Sequence, residues 1–124
     1  METPINVLGT PLKICSHEPN TGWYRDGCCN TDLNDQGSHT VCAQVTESFL
    51  LFLKQQGNDL MTPATQFGFP GLRPGDQWCV CAGSWYQAYR KGFACPVHLE
   101  STHRVALQRV PLEALMQYAI AEEA

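Results

Sequence analysis

The chain has no run of lysine or arginine, no apolar stretch of membrane-spanning length and no leader-like opening. Its net charge is −4, with 8 Lys and Arg against 12 Asp and Glu, so neither nucleic acid nor an anionic membrane surface is expected as a partner. The longest apolar stretch, Phe49-Leu50-Leu51-Phe52-Leu53, falls far short of the ~20 residues a spanning helix needs. Met1-Glu2-Thr3-Pro4-Ile5-Asn6 lacks the basic and apolar regions of a signal peptide, which leads to the expectation of a cytoplasmic protein. Internal repeats and low-complexity tracts are also missing. There is no serine nucleophile elbow and no carboxylate dyad. Gly68, Gly71 and Gly75 do not form a phosphate loop, because Pro70-Gly71 and Pro74-Gly75 read as turns. Paired Cys-x-x-Cys, the usual zinc-knuckle spacing, does not occur.

The chain is rich in cysteine, with 7 in 124 residues. Six fall in or near two blocks: Cys15, then Cys28-Cys29 with Cys42, and Cys79-Val80-Cys81. Cys95 stands alone. In a reducing compartment such thiols are expected to be free, metal-bound or redox-active. An odd count leaves at least one unpaired. Hydrophobic residues make up 44% and charged residues 16% of the chain, a globular balance. A chain of this size buries about two thirds of its unfolded surface, which is enough for one domain over residues 1–124.

The pattern predicts an α+β fold: a small mixed sheet, about three helices and two long Gly/Pro-rich loops. Residues 1–15 read as extended, broken by Gly9 and Pro11, and residues 16–38 as turns. A strand is expected over Thr40–Val45. Thr46 then caps a helix through Gln56, and Gly57 closes it. Residues 58–77 form a connector pinned by Phe67, Phe69 and Leu72. Trp78–Ala82 reads as a buried strand, followed by a helix capped at Ser84 and closed at Gly92. Val97–Glu100 and Val105–Val110 read as short strands, the second with a helical alternative. Pro111 starts a last helix with Leu112, Leu115, Met116 and Ala119 on one face. If the first helix is a crossover, the strands around Cys42 and Cys79 run parallel and side by side. Glu122 and Glu123 form a solvated tail.

Three readings of the cysteines follow. Zinc, the candidate cofactor, takes four N or S ligands; the set available is Cys28, Cys29, Cys42, Cys79, Cys81 and His39, with Cys15 and His103 in reserve. Thiol chemistry would place Cys81 or Cys42 near a helix start, where the macrodipole favours thiolate. His103 or His39 would then serve as base, and Asp76 as the residue orienting it. In the third reading the cysteines pack as small hydrophobes in a non-catalytic binding or scaffold protein. The site expected centres on Cys42, Cys79 and Cys81, closed by the Cys28-Cys29 loop and His103. Its ligand or partner would be a small molecule or a protein. Metal and thiol chemistry stay equally open.

Several stretches together resemble the bacterial family known as domain of unknown function 2237. They are Asn6-Val7-Leu8-Gly9, Thr21 to Cys29, His39 to Ala43, Gly57 to Leu60, Phe69 to Ala82 and Leu99 to His103. The resemblance covers about residues 6 to 120 and implies no activity or cofactor. It does imply that Cys15, Cys28, Cys29, Cys42, Cys79, Cys81 and His103 occupy family positions. Cys95 falls where relatives commonly carry proline, and Ser84 where they often carry arginine.

Overall fold

A computed structural model describes residues 4–17, 20–64, 66, 69 and 71–120; Phe67, Gly68, Pro70 and the Glu122–Glu123 tail lie outside them. The element order is β1 (His39–Gln44), α1 (Glu47–Gln55), β2 (Gln77–Cys81), α2 (Ala82–Lys91), 3-10 turns at Leu99–Ser101 and Arg104–Gln108, and α3 (Leu112–Gln117).

The fold is α+β, and its sheet separates two cores. Side chains alternate across a strand. Val41, Ala43, Trp78 and Val80 therefore enter a large apolar core with Phe49, Leu50, Leu53, Trp85 and Leu115. Cys42 and Cys79 face the other way and meet Cys15 and Cys29 in a second, sulfur-filled core. β1 is consequently sealed on both faces, with Thr40, Val41, Cys42 and Ala43 fully buried.

β1 and β2 run antiparallel, not parallel, with Cys42 opposite Cys79. The connector after α1 folds back instead of crossing over. Its final turn carries the pairing past the strand ends, where Gly75 N–H donates to Val45 (2.8 Å) and Val45 N–H donates to Asp76 (2.9 Å). The predicted strand from Val97 shrinks to one residue beside Ala43, followed by a 3-10 turn. Gln44 N–H donates to Pro96 O and His98 N–H to Cys42 O on that edge. The sheet itself is two-stranded and antiparallel, and the parallel pairing of Val97 with Ala119 is an isolated bridge outside it. The stretch Val105–Val110 takes the helical alternative, with its 3-10 turn capped by His103, whose Nδ1 accepts from Val105 N–H at 3.0 Å.

Helix ends follow local rules. Thr46 Oγ1 accepts from Phe49 N–H at 3.2 Å, and Gly92 ends α2 in the left-handed region at φ 86°. The start of α2 differs from expectation: it begins at Ala82, directly off β2, and Cys81 rather than Ser84 is its N-cap residue. Trp85 leads the buried face of α2 and donates its indole N–H to Cys95 O at 3.0 Å. In α3, Ala114 and Leu115 are buried while Met116 faces out. The N-terminal segment is tied down by Asn6, whose amide bonds Thr10 Oγ1 and Glu100 O.

A cysteine and histidine at the end of the hairpin

One irregularity in the hairpin builds the site. Val41 pairs with Val80, but the next pair is His39 with Cys81, so Thr40 is the extra residue of a bulge. A bulge re-aims side chains; without it Thr40 would stand opposite Cys81. Ser38, at φ 50°, starts the distortion, and its carbonyl accepts from Ala82 N–H at 3.0 Å. The histidine is thereby locked to the junction where the strand becomes a helix.

The Cys81 sulfur and the His39 ring lie together beside Gly37, and the thiol is the largest influence on the imidazole; on the other side His39 Nδ1 lies 2.6 Å from Asp35 Oδ1. With Nδ1 committed to the carboxylate, Nε2 is the ring atom left for the thiol. The Asp35 side chain is sealed from solvent and the His39 side chain is about a third exposed, at 36%. Asp35 Oδ2 accepts from the His39 backbone N–H (2.9 Å) and the Thr31 hydroxyl (2.8 Å), so both oxygens are anchored. Burial pushes the Asp35 carboxyl up. The His39 backbone N–H, the imidazole and the Thr31 hydroxyl outweigh it and hold the group below its ordinary value. For His39 the hydrogen bond with Cys81 dominates. Burial opposes it, and the charges of Cys81 and Asp35 reinforce it, so the imidazole is held up at about 9. Trp23 stacks on the ring, centroids 6.1 Å apart and planes within 12°. Gly37 leaves the approach open: a Cβ there would stand 3.0 Å from both Cys81 Sγ and His39 Cε1.

Cys81 is half-buried at the N-terminus of α2 with no side-chain cap bond. Gly83 and Ser84 follow in the first turn, whose N–H groups precede the first helical acceptor. Adjacent to His39 is a cleft of about 410 Å³, also lined by Trp23, Arg25, Phe69, Trp78 and Cys79. Arg25 lies over the Trp78 ring, 5.1 Å from its centroid.

The other predicted residues go elsewhere. Cys42 is bonded to Cys15, and Cys29 to Cys79. Four sulfurs expected to be free or metal-bound are thus paired, because the turn-rich segment 16–38 lays Cys15 and Cys29 against the cysteine face of the hairpin. Neither Cys42 nor Cys79 offers a free thiol in this state. Cys28, Cys81 and Cys95 remain unpaired. Burial, then the Asp26 charge, pushes the Cys28 thiol up. Cys95 is fully buried, and burial raises its thiol further still. His103 is buried and takes another role from the one expected of it: burial, and the nearby Arg104, disfavour its charged form, and its ring caps a turn. Asp76 accepts from Arg73 N–H at 2.9 Å in the turn before β2, with no histidine beside it. Asp35, four residues before His39, is the functional candidate that sequence reasoning missed. Its only signal is the i, i+4 spacing across the Gln36-Gly37 turn. The six residues proposed for zinc therefore divide: Cys81 and His39 pair at the helix start, Cys29, Cys42 and Cys79 join the sulfur core, and Cys28 belongs to neither pair.

The described residues contain no helix long and apolar enough to cross a membrane. A family model described as "Uncharacterized protein conserved in bacteria (DUF2237)" matches residues 5–119. No curated protein matches the chain.

Proposed function

The chain belongs to the bacterial DUF2237 family, and on that premise we propose that it is a thiol enzyme whose nucleophile is Cys81, with His39 as base and Asp35 as the residue that orients it. The observation that carries this reading is an imidazole placed beside a half-buried thiol and bonded on its other side to a sealed carboxylate. Cysteine, histidine and a third orienting group within hydrogen-bond reach form the recurring arrangement of an activated nucleophile. The start of α2 adds a positive dipole end at the sulfur.

Acyl transfer suits this geometry best. The proton of the Cys81–His39 pair rests on the imidazole, which is held up at about 9; the sulfur attacks a carbonyl carbon, and the carbon–sulfur bond forms as the carbonyl π electrons move to oxygen. The Gly83 and Ser84 N–H groups, in the first turn of α2, would receive that oxyanion. Collapse expels the leaving group, which takes its proton from His39, and water then releases the acyl group. The cleft reaches His39 but Cys81 is not in its lining, so a substrate seated there would extend past the imidazole to the sulfur: Arg25 would take an anionic group, and Trp23, Phe69 and Trp78 an apolar body. The four paired cysteines take no part in this chemistry. The working compartment we assign is the cytoplasm, where disulfides are usually transient or regulatory.

The test is covalent trapping. The protein is incubated with an activated thioester or aryl ester and analysed by intact mass and peptide mapping. An acyl group on Cys81, absent in His39→Ala, supports the reading. Equal labelling of Cys28 and Cys81, or labelling of Cys81 that is unchanged in His39→Ala, contradicts it.

A further inference from the structure

The sulfur core is a second chemical centre, and it owes nothing to the Cys81 reading. Ligand atoms of Cys15, Cys29 and Cys79 all lie within 4.8 Å of one another, and the sulfur of Cys42 is bonded to that of Cys15. Four sulfurs therefore occupy one small volume. In a tetrahedral thiolate site, with metal–sulfur bonds of ~2.3 Å, neighbouring sulfurs stand about 3.8 Å apart. The present spacing is within a side-chain rotation of that figure.

The backbone holds three of these cysteines, Cys15, Cys42 and Cys79, in place by bonds other than sulfur–sulfur. Cys79 N–H donates to the Thr21 hydroxyl at 2.9 Å, Cys42 N–H to the Thr102 hydroxyl at 3.1 Å, and Cys15 N–H to Gly27 O at 2.7 Å. Cys42 and Cys79 are also cross-strand partners. These anchors do not depend on the oxidation state of sulfur, so breaking the disulfides leaves the thiols gathered. They would then be buried without polar partners suited to four thiolates, a state that a soft cation relieves. Cys79 lines the cleft, which gives an ion a route in, and Arg25 on the same wall supplies counter-charge.

We propose that reduction converts the Cys15, Cys29, Cys42 and Cys79 core into a tetrathiolate site for zinc or a similar soft cation. Two dithiol reductants each give two electrons and two protons to one disulfide, becoming disulfides themselves and leaving four thiols. A divalent cation then displaces four protons. The two oxidation states thus exchange two covalent cross-links for four metal–sulfur bonds.

The experiment compares oxidised protein with protein reduced by a dithiol and desalted under inert gas. Each is given zinc, washed through a weak chelator resin and analysed for metal; cadmium in place of zinc reads thiolate charge-transfer absorption. One equivalent per reduced chain and none per oxidised chain is the expected result. Cys29→Ala/Cys79→Ala should abolish retention, and Cys81→Ala and His39→Ala should keep it, so failure here is separate from failure of the nucleophile. If the reduced chain loses helical circular dichroism, zinc should restore it. A reduced, folded chain that retains no metal overturns the proposal. So does an unfolded one that zinc does not refold, or retention that disappears in Cys81→Ala or His39→Ala.

Discussion

Removing the Cys29–Cys79 bond should cost this protein a quarter or more of a typical domain's stability. The bond links residues 50 apart, and Cys15–Cys42 links residues 27 apart. Chain-entropy arithmetic assigns about 4 kcal/mol to the longer closure and about 3.5 kcal/mol to the shorter. The two do not add. Cys29 lies inside the 15–42 loop and Cys79 outside it, so the cross-links interleave and closing either one shortens the chain the other must constrain. With Cys15–Cys42 intact, Cys29→Ala/Cys79→Ala should therefore lose ~3–4 kcal/mol. For a chain of this length that is a fall of about 10–15 °C in melting temperature. Thermal melts followed by far-ultraviolet circular dichroism, on protein whose remaining bond is verified by non-reducing peptide mapping, measure it directly. A fall of less than about 4 °C, equivalent to ~1 kcal/mol, would show that the sulfur core does not constrain the unfolded chain and refute the reasoning.

Two further outcomes follow from the His39 environment. The imidazole is raised from 6.5 to about 9, so the folded chain keeps a proton that the unfolded chain has lost between those values. The associated stabilisation is whole below about pH 6.5 and disappears as pH rises through about 9. Urea midpoints should drop across that interval in the parent and stay level in His39→Asn, and imidazole proton shifts should titrate near 9 and move down in Asp35→Asn. A His39 titrating at its ordinary value would contradict the pairing. Asp35, held below 3.8, works in the opposite direction: its contribution is present above that value and lost on acidification through its folded value. Gly37→Ala places a methyl 3.0 Å from both Cys81 Sγ and His39 Cε1. The pair must give by a few tenths of an ångström, which should slow Cys81 alkylation, by less than the ~100-fold that a 1 Å misplacement costs, while leaving the melting temperature nearly unchanged; an unaltered rate would mean that the two groups do not act together.

Local rules made much of the fold legible. Thr46, Gly57 and Gly92 mark helix ends because a cap hydroxyl and a left-handed glycine act within a few residues, and the period-two alternation of Val41, Cys42 and Ala43 announces a strand buried on both faces. What stayed hidden depends on long-range partners. Strand direction was set by the return of the 56–76 connector, which no periodicity encodes. Four cysteines admit three pairings that spacing alone does not separate. The thiol–histidine pair depends on a single extra residue, Thr40, which moves His39 by one step and turns it toward Cys81. Asp35 looked like one more loop acid, because only the fold shows its carboxylate sealed beneath an imidazole. Capping at Cys81 rather than Ser84 was missed for a related reason: α2 begins with no connecting loop, so the last strand residue doubles as the helix N-cap.

The central claim is that His39 and Cys81 act as one unit. Alkylation of the three unpaired cysteines by iodoacetamide at neutral pH, resolved by residue through peptide mass spectrometry, tests it most directly. The account predicts that Cys81 reacts fastest, that His39→Ala slows it by roughly 10- to 30-fold, the ceiling set by the few per cent of thiolate in an ordinary cysteine at pH 7, and that Cys28 and Cys95 are unaffected by that change. A Cys81 rate equal to that of Cys28, and the same with or without the imidazole, would contradict it.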